Sequence, residues 1–113
     1  MGQEVGSKEK MSNYNRDNVK GKYIEDKREL IADGLVGDWS FDSNQDITVA
    51  ILIRCPDGSP SGCVGRLPLG GNGWNWDGNR EGPTLSPSID RLPIDDYKPG
   101  WHGWLRGGEL VSV

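Results

Sequence analysis

The chain is poor in the residues from which metal sites, nucleophilic machinery and large cores are made. Among 113 residues there are one His, two Cys, one Phe and two Met, and only 34% of the residues are hydrophobic. A single His must serve every role that an imidazole would play. No apolar run approaches the roughly 18 residues that a membrane span needs, and Met1–Ser7 holds no apolar signal core. With so few cysteines, this predicts a reducing, intracellular setting. Positive charge is also short: 13 Lys and Arg face 17 Asp and Glu, for a net charge of -4 and a pI near 4.9. Duplex nucleic acid and its phosphate backbone are therefore not the expected partner, and membrane is not either. The excess acid lies in residues 34–113, which favours a basic protein surface as partner.

What is abundant is glycine (17), proline (7) and tryptophan (5). Glycine and proline at this level favour short strands and many turns over long helices. The tryptophans supply much of the area a small core can bury, since each aromatic side chain hides roughly 150–250 Å². Residues 1–22 are polar and nearly free of apolar side chains, and Met11 is an alternative start to Met1. They read as an arm, flexible or docked on a partner, with Tyr14 and Tyr23 as its anchors. Tyr23–Asp33 reads as a short amphipathic helix on Ile24, Leu30 and Ile31, stopped by Gly34.

Strands follow. Val36–Phe41 alternates in part, and Ser43–Asp46 is a turn. Ile47–Ile53, rich in β-branched residues and apolar on both faces, is predicted to be central. Cys63–Leu67, Trp74–Trp76, Thr84–Ile89, Trp101–Leu105 and Glu109–Val113 complete the set, with Gly107-Gly108 as a hairpin turn. The predicted fold is mainly β: a small antiparallel sheet or partly open barrel with one short N-terminal helix and a polar arm. The arm is 1–22, and 23–113 is a single β-rich domain.

Three constellations are candidates for chemistry. Cys55, Cys63 and His102 could supply three ligands to zinc, but no fourth Cys or His exists; the alternative is two reduced thiols beside a Gly/Pro turn. Ser86 and Ser88 are candidate nucleophiles, yet no Gly-x-Ser-x-Gly elbow surrounds either. The adjacent Asp95 and Asp96 would point apart on a strand, and the Gly clusters lack the Lys-Ser/Thr of a phosphate loop. Enzymatic activity is therefore not expected. Trp74, Trp76, Trp101 and Trp104 are either a stacking platform or, as the shortage of Leu and Phe favours, the core itself.

The stretch Trp74-Asn75-Trp76-Asp77-Gly78-Asn79-Arg80-Glu81-Gly82-Pro83-Thr84-Leu85-Ser86-Pro87-Ser88-Ile89 resembles a family of small phage and bacterial proteins often mislabelled as ammonia monooxygenase. Cys55-Pro56 matches the start of that pattern and Trp101–Leu110 its close, so the resemblance covers roughly residues 50–113. Family members usually carry a further Cys shortly before the His; Pro99-Gly100 stands there in this chain. Physically, Pro83 and Pro87 bar this segment, which also holds Thr84, from a central ladder, and Ser86 and Ser88 offer side-chain partners to backbone groups that the prolines leave unpaired. The resemblance implies a phage origin. With it comes the expectation of a non-catalytic virion-associated protein, of cement or baseplate type, binding the subunits of a larger assembly. An inhibitor of a host defence or transcription protein and a small zinc-ribbon-like module are the alternatives. No cofactor other than zinc is expected, and the location expected is the virion or the host cytoplasm.

Overall fold

Ile47–Cys55 is the strand around which the rest is arranged. The computed structural model describes residues 18–91 and 100–113, so Tyr14, Asp95 and Asp96 lie outside the described residues. In chain order the elements are β1 (Val19–Lys20), α1 (Lys27–Asp33), β2 (Trp39–Asn44), β3 (Ile47–Cys55), β4 (Cys63–Pro68), β5 (Asn75–Trp76), β6 (Leu85–Ser86), β7 (Ile89–Arg91), β8 (Trp101–Arg106) and β9 (Glu109–Ser112). The described part is mainly β with one short helix, as expected. Its antiparallel sheets stay open and do not close into a barrel.

β3 lies between β2 and β4, and its residues 50–55 are all buried, which is why its sequence is apolar on both faces. The β2–β3 hairpin turns at Gln45 and Asp46, both at positive φ, the twist that a two-residue hairpin requires. A second sheet has the order β1-β9-β8-β7, and β5 pairs with β6 alone. Gly107 and Gly108 close the β8–β9 hairpin at φ 60° and 81°. Trp39, Phe41, Ile51, Ile53, Leu85, Ile89, Trp101, Leu105 and Leu110 form the core between the sheets.

Several elements differ from the sequence reading. The helix begins at Lys27, because the Asp26 carboxylate accepts the Arg28 N–H and caps it. Tyr23 bridges to Trp39 and packs on Phe41 at 5.7 Å between ring centroids. Val19 and Lys20, within the expected arm, pair with Leu110 and Glu109. The expected strand over Thr84–Ile89 is two, β6 and β7, separated at Pro87, which has no N–H for a ladder. The tryptophans divide as well: Trp101 is buried, Trp74 and Trp76 are half-buried against the core, and Trp104 lies on the outer face of β8.

Arg54, 8% exposed, joins α1 to β3. Its guanidinium donates to the carbonyls of Leu30 and Ile31 at the helix C-terminus and to that of Gly62. A cation there meets the negative end of the helix dipole as well as three acceptors. Arg54→Met is expected to cost about 2 kcal/mol, since it removes the side-chain donor from the part-buried Ile31 and Gly62 carbonyls and one of two donors from Leu30, whose carbonyl keeps the Gly34 N–H. Urea unfolding followed by tryptophan fluorescence would measure it.

Candidate active site

The strand ladder between β7 and β8 pairs Ile89 with Gly103, Asp90 with His102 and Arg91 with Trp101. Ile89 and Trp101 are buried, so the alternation turns Asp90 and His102 to the outer face, where both are exposed. Ser88, two residues before Asp90, reaches the same face. Its Oγ lies 2.9 Å from His102 Nε2. The Val113 N–H donates to the His102 carbonyl at 3.0 Å, so His102 turns its backbone toward β9. Asp90 and His102 are therefore a non-hydrogen-bonded cross-strand pair, the kind whose side chains stand closest. A serine hydroxyl, an imidazole and a carboxylate thus share one open surface at the edge of the sheet.

The proline-rich segment holds Ser88 in that place. Pro83 is fully buried, and its carbonyl accepts the Gly108 N–H. Thr84 Oγ1 accepts the Gly107 N–H at 2.8 Å, which fastens the segment to the β8–β9 turn. Asp77 accepts the Asn79 and Thr84 N–H groups, and Asn79 those of Glu81 and Gly82, so these side chains fix the loop before it. Trp76 pairs with Leu85, and Trp74 Nε1 donates to the Ser88 carbonyl at 3.4 Å. Ser86 pairs with Asn75 on β6 and stays exposed, apart from the serine–histidine contact. Pro87, also exposed, links β6 to Ser88. Trp104 follows His102 on the outer face, with the Arg106 guanidinium 4.7 Å from the centre of its ring.

The proposed metal ligands are only partly brought together. Cys55 and Cys63 are the last pair of the β3–β4 ladder, and both are free thiols. Arg91, which turns to the inner face beside Trp101, places Nη2 3.6 Å from Cys63 Sγ. His102 faces outward on the other side of that sheet. Among the described residues no three His, Cys, Asp or Glu side chains are grouped to hold a metal ion. Burial pushes the Cys55 thiol up to about 12, against a smaller opposing pull from Arg91. At pH 8 only about one part in 10⁴ of Cys55 is thiolate, and the thiolate is the reactive form. A disulfide reagent at that pH is expected to modify Cys63 in the folded protein and to reach Cys55 only on unfolding, as counting modified thiols by mass would show.

A serine hydroxyl poised on the Nε2 of an imidazole is the nucleophile–base pair of the serine hydrolases. Here the pair is positioned by a strand ladder, with no elbow between strand and helix. Residues 26–113 match the family model of the bacterial ubiquitination-like system serine protease, BubE, and the chain belongs to that family. No curated protein and no solved structure matches it. The family overturns the expectation of a non-catalytic virion component, together with the inhibitor and zinc-ribbon alternatives, because it is named for a protease of a bacterial ubiquitination-like system. The expectation that the chain is not an enzyme falls with it. The pairing of β7 with β8 sets Ser88 in contact with His102, the single His. No helix among the described residues is long and apolar enough to cross a membrane.

Proposed function

We propose that this chain is a serine peptidase that cuts a polypeptide of a ubiquitination-like system, with Ser88 as nucleophile and His102 as general base and acid. The observation that carries this reading is the 2.9 Å contact between Ser88 Oγ and His102 Nε2; the family named for such a protease supports it. In the tautomer with its proton on Nδ1, His102 accepts the Ser88 proton as Oγ attacks the carbonyl carbon. The imidazolium then gives that proton to the leaving amine as the C–N bond breaks, and an ester on Ser88 remains. Water attacks the ester and passes a proton to His102, which hands it to Ser88 Oγ as the acyl–Oγ bond breaks and the acid is released. Asp90, across the ladder from His102 on the same face, makes no ion pair with it; in this reading its carboxylate supplies the opposite charge that the imidazolium meets.

An open face suits a polypeptide better than a small molecule. Two depressions of about 590 and 380 Å³ run along α1, and neither is lined by Ser88 or His102. The partner in this reading is a protein, in keeping with the family's name.

A fluorophosphonate reagent followed by peptide mass mapping tests the assignment. The adduct is expected on Ser88, and its rate of formation is expected to collapse in His102→Gln. An adduct on Ser86, or none on any serine, sinks the reading. Asp90→Asn is expected to retain labelling but lower peptide turnover on the order of 10²-fold, a loss seen in kcat more than in KM.

A further inference from the structure

We infer that the edge of β7, to which no described strand pairs, is a docking strand: the acyl-side segment of the substrate adds to the sheet beside it and delivers its reacting carbonyl to Ser88. The inference rests on the peptidase reading and adds how the substrate is held.

The directions of backbone groups carry it. β7 is the last strand of the order β1-β9-β8-β7. Because the His102 carbonyl accepts the Val113 N–H, His102 turns its backbone to β9, and Trp101 and Gly103 turn theirs to β7. Ile89 and Arg91 consequently engage β8, while Ser88 and Asp90 direct their backbone groups away from the sheet. The Trp74 indole gives an independent check, since it reaches the Ser88 carbonyl from that outer side. Among the described residues nothing pairs with the N–H or carbonyl of Asp90. An edge strand that ends in a nucleophile and offers a free donor and acceptor two residues away fits an extended chain, whose own N–H and carbonyl would complete the ladder.

Trp74 also limits the slot. Its indole covers the edge at Ser88, so a docked strand runs from Asp90 to Ser88 and stops there. Only one side of the scissile bond is then read as a strand. The acyl side is the one that stays attached to Ser88 Oγ through both halves of the reaction, and it is the side that pairing with Asp90 would hold. Recognition of this kind depends on an extended conformation and free backbone amides, more than on particular side chains. Substrates blocked at the pairing amide should be poor.

The test compares two adducts of the full chain at Ser88. One is made with diisopropyl fluorophosphate, which has no peptide strand. The other is made with the diphenyl phosphonate of an acetylated tri-alanine chain ending in the phosphonate analogue of alanine. The exchange rate of the Asp90 amide hydrogen, read by NMR on ¹⁵N-labelled protein, is expected to fall about 10-fold or more in the peptidyl adduct and to stay unchanged in the small one. N-methylation of the peptide residue that faces Asp90 is expected to abolish that protection, and methylation of its neighbour to spare it. Equal exchange in both adducts overturns the docking strand, as does a Ser88 that accepts the small reagent and refuses the peptidyl one. A chain in which neither reagent modifies Ser88 fails earlier, at the peptidase reading itself.

Discussion

Ser88→Ala is expected to lower kcat/KM for peptide cleavage on the order of 10³-fold or more while the protein stays folded. The size follows from the division of labour: the hydroxyl oxygen forms the new bond, and no other side chain of the described surface is placed to replace it. Ser86, the other serine of the motif, sits on β6 and is exposed, so Ser86→Ala should leave the rate near its starting value. Stability should hardly change in Ser88→Ala. The variant gives up one hydrogen bond to an exposed imidazole, about 1 kcal/mol at most, and every backbone link of the segment remains. His102→Gln should cost nearly as much activity as Ser88→Ala. The two together should cost no more than the worse of them, because a base without its nucleophile has nothing to deprotonate. Cleavage of fluorogenic peptide amides would measure all four variants against the unaltered protein. Retained turnover in Ser88→Ala, or losses that multiply in the double variant, would remove the pair from the chemistry.

The strands were largely legible before the structure, and the site was not. Ile47–Ile53 reads as a central strand because β-branched residues fill both faces, and Gly107-Gly108 reads as a hairpin turn because each glycine accepts positive φ. Both signals are local. The contact between Ser88 and His102 spans 14 residues of sequence and depends on register. A slip of one residue in the β7–β8 ladder would turn His102 to the core and leave Ser88 without a base. Parity alone offered a hint: Ser88 and Asp90 share one face of a strand, and so do His102 and Trp104. A search for Gly-x-Ser-x-Gly could not single out Ser88, since the residues after it continue as strand β7. The zinc set failed for a related reason. Cys55 and Cys63 do meet, as spacing across a Gly/Pro turn suggested, yet His102 belongs to the opposite face of another sheet. Helix α1 shows the smaller kind of error, in which a polar cap at Asp26 outweighs the apolar spacing that had placed the start at Tyr23.

Gly103→Ala is expected to destabilise the protein by about 3 kcal/mol or more and to remove activity with it. Gly103 lies between His102 and Trp104 and faces inward, opposite Ile89. A Cβ at that position would stand 2.3 Å from Cζ2 of the Trp101 indole and 2.5 Å from the Val111 carbonyl oxygen. The indole crosses over the glycine, with its Nε1 held by Ser112 Oγ at 3.0 Å, and it is 4% exposed in the middle of the core. It cannot swing aside without leaving that core, and the Val111 oxygen belongs to the neighbouring strand and cannot move without parting β8 from β9. Either response shifts His102, the next residue, relative to Ser88. Trp101→Phe removes the ring atoms that the new methyl would strike and leaves the carbonyl contact. Combined with Gly103→Ala, it should therefore recover part of the loss, so that the two substitutions together cost less than their sum. Urea unfolding of the single and double variants gives the coupling, and fluorophosphonate labelling of Ser88 shows whether the serine–histidine contact survives. Full additivity in the double variant would mean that the indole is not what makes a glycine necessary at this position, and that the approach of β9 alone sets it.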